Sequence, residues 1–279
     1  MHIGEVDFGN NVILKNDPQF ADEGFVVKYN KNYNCEWARK ISGDGSDYIN
    51  SVTELNDGGY VVVGQCLSEK IEIEDGIIEK NHKTYSYTWD GIIVKYSKEG
   101  NVEEYRIIGG SQDDVITDVT STKEGGFIIV GSFKSENIEL ENTDVIKNSD
   151  YNRNYYSDGM IIKYDSDFKI VLSQTLYGKA CEEINKVIEL NNEDYVVVGT
   201  FNGSIFLKNG YGIGSGNSTN IYTGFVAQYT KEGDLIKVHR IKSKSGDRDN
   251  VEYITKDVDD GYVIYGNVNN RSRTKWWSL

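Results

Sequence analysis

The chain has 279 residues, 38% of them hydrophobic, enough to bury a sizeable core, yet no apolar run approaches the roughly 20 residues of a membrane-spanning helix. A formal charge of −14 repels phosphate backbones and anionic lipid, which argues against nucleic acid as a partner. Three cysteines (Cys35, Cys66 and Cys181), an odd count without CxxC spacing, argue against a disulfide framework and a zinc knuckle, and leave core filler as their expected role.

Met1-His2-Ile3-Gly4 lacks the charged and apolar regions of a secretory leader, so the chain as it stands is expected inside the cell, or at the cell surface if a leader precedes it. The first strand predicted is Gly24-Phe25-Val26-Val27-Lys28-Tyr29. A turn over Asn30 to Asn34 leads to a strand including Trp37 to Ile41. Ile49 to Thr53 and Tyr60-Val61-Val62-Val63-Gly64 then read as a hairpin, turned by the glycines of Asp57-Gly58-Gly59.

These elements return in order along the chain. Gly91 to Tyr96 and Tyr105 to Ile108 precede the hairpin of Ile116 to Thr120 with Phe127 to Gly131. Gly159 to Tyr164 and Leu172 to Leu176 precede that of Ile184 to Ile188 with Tyr195 to Gly199. Gly224 to Tyr229 and Val238 to Ile241 precede that of Val251 to Thr255 with Tyr262 to Gly266. Tyr60, Phe127, Tyr195 and Tyr262 follow one another at 67, 68 and 67 residues, while Gly24, Gly91, Gly159 and Gly224 keep step at 67, 68 and 65. Such a period is the mark of a repeat architecture.

Two places in the pattern are ambiguous. Ile184, Val187 and Ile188 suit an amphipathic helix, but the β-branched copies Ile116 to Thr120 and Val251 to Thr255 favour a strand, which is the expectation here. The third hairpin carries Glu193-Asp194 where the others have glycines, so its turn is expected to differ.

The second and third strands are apolar on consecutive residues, implying burial on both faces, as between stacked blades. The expected fold is therefore all-β: a β-propeller of four four-stranded blades forming a single domain over 1–279. Its units run over 43–109, 110–177, 178–243, and 244–279 completed by 1–42. Chain start and end share one phase of the unit, so N-terminal strands are expected to pair with C-terminal strands and hide both edges. The alternative is a partial propeller cut from a longer protein.

The stretch from Gly4-Glu5-Val6-Asp7-Phe8-Gly9-Asn10 through Gly24 to Tyr29 and Glu36-Trp37-Ala38-Arg39-Lys40 resembles the bacterial β-propeller repeats called SBBP repeats. Gly109-Gly110-Ser111-Gln112-Asp113-Asp114 and Asp57 to Gly64 are similar to a related surface-protein pattern, GGSGDD followed by DGGYVVVG. The resemblance covers nearly the whole chain and its motifs are structural. It implies a part of a large secreted or surface protein, often with seven or more blades, and no shared catalytic residue. This chain is expected to depart from the pattern in having four units, and its first residues do not read as a leader.

One acidic position recurs in register: Asp47, Asp114, Glu182 and Asp249 each stand two residues before the first strand's apolar residue. Converging on an axis, four carboxylates would suit a hard cation such as Ca²⁺. The competing reading is an acid accepting backbone N–H bonds at each strand start, and the D-x-D-x-D-G spacing of a calcium loop is absent. Asn50, Thr117, Asn185 and Glu252 follow and are expected to face a channel. Each excursion between strands two and three holds an apolar-x-apolar segment, such as Ile71-Glu72-Ile73 and Ile138-Glu139-Leu140, expected to extend its own blade as a hairpin. Beyond these segments the loops diverge and carry Tyr87, Trp89, Tyr155, Tyr156 and Tyr211, a contact surface suited to protein or glycan.

His2, His82 and His239 fall at different phases, and no nucleophile stands beside a base. The leading expectation is a non-enzymatic binding module without cofactor. The alternatives are a hydrolase or lyase acting on a glycan at an acidic channel mouth, and a structural spacer. Sequence leaves the oligomeric state open.

Overall fold

A computed structural model of the chain describes residues 4–16, 22–74, 76–80, 87–140, 145–149, 156–207, 210–214, 222–241, 249–259 and 261–268. Among them there is no α-helix; the protein is all-β, built of antiparallel strand pairs.

Two hairpins lead, β1 (Gly4–Asp7) with β2 (Ile13–Asn16) and β3 (Gly24–Tyr29) with β4 (Cys35–Gly43). Unit I contains β5 (Asp47–Glu54), β6 (Tyr60–Cys66), a hairpin of β7 (Lys70–Ile73) and β8 (Gly76–Glu79), then β9 (Asp90–Tyr96) and β10 (Val102–Ile108). Unit II repeats this with β11 (Asp114–Ser121), β12 (Phe127–Phe133), β13 (Asn137–Glu139), β14 (Val145–Lys147), β15 (Asp158–Tyr164) and β16 (Ile170–Gly178). Unit III follows as β17 (Glu182–Glu189), β18 (Tyr195–Asn202), β19 (Ser204–Phe206), β20 (Gly212–Gly214), β21 (Tyr222–Tyr229) and β22 (Leu235–Ile241). β23 (Asp249–Lys256) and β24 (Tyr262–Val268) end the series. The main strands of each unit lie in chain order, β5-β6-β9-β10, β11-β12-β15-β16 and β17-β18-β21-β22.

The first strands are strands, and their helix-like phase has a cause. Each carries a bulge at one place, between Ile49 and Ser51, Ile116 and Asp118, Ile184 and Lys186, and Val251 and Tyr253. The extra residue puts Ile184 and Val187 on one buried face although they are three apart. Opposite the bulge the backbone closes in: a Cβ on Gly64, Gly131, Gly199 or Gly266 would stand 1.9–2.0 Å from a carbonyl oxygen of the first strand. The recurring glycine of the second strand is dictated by that approach.

Burial on both faces of the middle strands is present, with Val61 to Val63, Ile128 to Val130 and Val196 to Val198 sealed from solvent. The cores straddle the seams between units. Val61 and Val63 of unit I pack with Ile116 and Val119 of unit II, Ile128 and Val130 with Ile184 and Val187, and Val196 and Val198 with Val251 and Ile254. Each such side chain contributes roughly 1.5–3 kcal/mol of burial, available only when the neighbouring sheet is present.

Three expectations are corrected. The turn at Glu193 does not differ: Leu190 and Asp194 close it as Leu55 and Gly59 do, and Glu193 adopts φ 70° where Gly58 has 82°. The excursion hairpins do not extend their own sheet where their pairing is formed. β7 of unit I joins β4, and β19 of unit III joins β16 of unit II, so each reaches back to the preceding sheet. Finally, the sheets do not close into a ring among the described residues. Among the described residues β24 pairs with β23 alone, and β3 lies in a separate sheet with β4, β7 and β8.

Candidate functional site

Antiparallel pairing brings the start of each first strand, the end of each second and the excursion loop to one end of the sheets. The four recurring acids lie there, all buried. Asp114 is held on both oxygens: its Oδ1 accepts from the amides of Lys134 (3.0 Å) and Ser135 (3.1 Å), its Oδ2 from the Gly110 amide (2.8 Å) and the Ser135 hydroxyl (2.6 Å). Asp47 accepts from the Ser68 hydroxyl at 2.7 Å and its amide at 3.4 Å. In the third copy glycine (Gly203) stands where Ser68 and Ser135 do, and the acid there, Glu182, is one methylene longer. Burial raises the carboxyl of Asp114 to about 7 against its hydrogen bonds from Ser135, and burial likewise raises Asp47 to about 6. Asp158, which accepts from Ser149, is also pushed by burial to about 6. Among the described residues no three Asp, Glu, His or Cys side chains gather as metal ligands do.

Of the aromatic candidates, Tyr87 and Tyr211 are exposed, and Tyr87 takes φ 92°. Trp89 is half-buried and built into the frame. Its ring stacks on Tyr48 at 5.3 Å, its amide donates to Asp113 and its carbonyl accepts from the Asp114 amide at 2.6 Å. Tyr156 is half-buried, and Tyr155 lies outside the described residues. No ring contact joins Tyr87, Trp89, Tyr156 and Tyr211 to one another among the described residues.

Sequence reasoning missed the tie at the root of these loops. The buried Lys80 ammonium donates to the carbonyls of Cys66 (2.8 Å) and Thr88 (3.0 Å) and pairs with Asp90 at 3.1 Å. In unit II Asn148 spans the same gap, donating to the Phe133 and Tyr156 carbonyls. Lysine and asparagine share no pattern, so the sequence held no signal for it.

Also unforeseen is a cavity of about 290 Å³ at the opposite end, between the turns of units II and III. Glu124, Lys163 and Lys231 line it, and their charges are mutually satisfied: Lys163 meets Glu124 at 2.9 Å, and Lys231 meets Glu193 at 2.7 Å and Glu124 at 3.3 Å. The Lys163 ammonium holds the Glu124 carboxyl below its ordinary range.

Asn50, Thr117 and Asn185 do not line a channel as free polar groups; they bridge neighbouring units. Asn50 Nδ2 donates to the Ile116 carbonyl (2.7 Å), Thr117 Oγ1 to that of Ile184 (2.6 Å), and Asn185 Nδ2 to that of Val251 (2.6 Å). Glu252, at the fourth such position, instead accepts from Asn250 and Asn267.

Fold and site together define an all-β protein of stacked antiparallel sheets whose recurring carboxylates are internal. No family model matches the chain. Over 147 residues, 51% of the chain, it is 31% identical to a DNA primase-polymerase of Nitratiruptor phage NrS-1, and it spans 18% of that protein's length. A solved structure of a protein of unknown function from Bacteroides caccae is similar over 80% of this chain and 93% of that one, at 10% identity and a TM-score of 0.26. Among the described residues no helix is long and apolar enough to cross a membrane.

Proposed function

We propose that the stacked sheets are blades of a β-propeller, the fourth assembled from the N-terminal and C-terminal half-sheets, and that it serves as a non-enzymatic binding module for a protein or glycan. The SBBP resemblance favours a role within a bacterial surface protein. The observation carrying this reading is the contrast at the loop end, where all four recurring carboxylates are buried while Tyr87 and Tyr211 face solvent. Glycoside hydrolysis canonically uses two carboxylates that substrate can reach, and these four are buried. The likeness to a primase-polymerase spans a small part of that protein, and a charge of −14 opposes contact with DNA.

The test is a glycan and protein-ligand array on the intact chain. A ligand bound by the native protein is expected to lose at least tenfold in affinity in the Tyr87→Ala/Tyr211→Ala variant, with the melting temperature of the free protein unchanged. Binding indifferent to both substitutions overturns the reading. So does glycoside turnover that disappears in Asp114→Asn.

A further inference from the structure

We propose that the two half-sheets at the chain's ends are docking surfaces for a second copy of the same chain. β24 of one copy pairs edge to edge with β3 of the other, and reciprocally. The inference rests on the blade reading above and concerns what completes the fourth blade.

Faces that are sealed in units I to III lie open here. Val263 and Tyr265 on β24 are each 59% exposed, whereas their counterparts Val61 and Val63, Ile128 and Val130, and Val196 and Val198 are buried against the following unit. On the other side Phe25 is 50% exposed, and Tyr29 is exposed too; the counterparts Ile92 and Tyr96, Met160 and Tyr164, and Phe225 and Tyr229 are all buried. Val52, 50% exposed, corresponds to the buried Val119 and Val187, which rest on the preceding unit. Tyr33, 89% exposed, occupies the place of Phe168, whose ring is buried beneath Arg106 of the preceding unit at 4.7 Å. The open faces are thus the two opposite faces of the fourth blade, with Val263, Tyr265 and Val52 at its junction with unit I and Phe25, Tyr29 and Tyr33 at its junction with unit III, and both edges are unpaired among the described residues.

The sides also fit in register and charge. In the complete units the second and third strands pair as Tyr60 with Tyr96, Phe127 with Tyr164 and Tyr195 with Tyr229. The same register sets Tyr262 against Tyr29, Val263 against Lys28 and Gly266 against Phe25. Tyr262 and Tyr29 would then stack as Phe127 and Tyr164 do at 4.7 Å and Tyr195 and Tyr229 at 5.2 Å. Lys95 meets Asp57 at 3.8 Å and Lys163 meets Glu124 at 2.9 Å; by the same offset Lys28 would meet Asp259.

Among the described residues of one chain β24 and β3 are not paired, and a second copy offers the matching strand to each edge. Two copies related by a twofold axis would cover both edges of both chains and leave none open, an isologous exchange that closes on itself. The seam with unit I differs from the others, where Asn50, Thr117 and Asn185 bridge to a neighbouring carbonyl, because Glu252 at that position accepts from Asn250 and Asn267 instead. It is the seam suited to opening between copies.

Sedimentation equilibrium on the intact protein should give twice the 31.5 kDa chain mass, and Tyr265→Asp should reduce it to one chain with an unchanged circular dichroism spectrum. Mixing Val263→Cys with Lys28→Cys, each in a Cys181→Ser background, should yield a covalent dimer under oxidation that neither forms alone. A single-chain mass for the native protein overturns the proposal, as does a link formed within one chain of the double-cysteine variant. The loop variant Tyr87→Ala/Tyr211→Ala should leave the mass doubled, so failure of ligand binding and failure of pairing are separately visible.

Discussion

Gly131 sits where the backbone of β12 passes the bulge of β11, and a methyl group there would lie 1.9 Å from the Val115 carbonyl oxygen. The neighbour is main chain in a paired strand, so relief requires moving the sheet. Gly131→Ala is expected to cost at least about 3 kcal/mol, read as a lowered urea midpoint, whereas Gly58→Ala meets only a lysine side chain at 3.6 Å and pays mainly for its φ of 82°. Equal losses at the two positions would contradict the steric account. The recurrence of this glycine was plain in the sequence, but its reason was not, because the bulged residue itself is Asn, Thr, Asn or Glu. Glu193 misled for a related reason. Glycine is the usual occupant of a left-handed turn position, yet a residue tied to Lys231 can be held there.

Between strands the units are joined by side chains that differ from seam to seam. Asp118 on β11 accepts from Ser51 of unit I (2.6 Å) and from both Lys186 (2.9 Å) and the Val187 amide (3.0 Å) of unit III, linking three first strands. Replacing Asp118 with alanine strands Lys186 and a buried amide, and should cost roughly 2–3 kcal/mol. Asp118→Asn, whose one carbonyl oxygen can still accept from the Val187 amide while its NH2 can donate to the Ser51 hydroxyl, should recover part of that in the same denaturation series. If asparagine and alanine proved equivalent, the bridging role would be wrong. The strands themselves were legible because apolar runs and turn glycines mark them locally. These bridges were not, since Ser51, Asp118, Lys186 and Tyr253 share a position but no chemistry. The hairpins in the excursions could be foreseen from apolar alternation, but their attachment to the preceding sheet depends on how units stack, which no local pattern records.

For the molecule as a whole, the internal acids of the loop end set its response to pH. Asp47, Asp114 and Asp158 have folded-state values of about 6, 7 and 6, above the ordinary carboxyl value near 3.8, chiefly because burial disfavours the charged form. The folded protein therefore binds these protons more tightly than the unfolded chain does. Their contribution is fully present below about pH 4 and is lost as pH rises through about 6 to 7. The net charge of −14 acts in the same direction, since titrating acids on the way down relieves self-repulsion. The melting temperature should accordingly rise between pH 8 and pH 5, the reverse of a protein stabilised by paired surface carboxylates. Asp114→Asn, which fixes a neutral group at that position, should flatten the slope by removing the largest of the three shifts while keeping the Oδ1 acceptor for the Lys134 and Ser135 amides. A melting temperature that falls toward pH 5, or a slope untouched by the substitution, would show that these carboxylates keep ordinary affinities and that the loop end is wetter than its burial indicates.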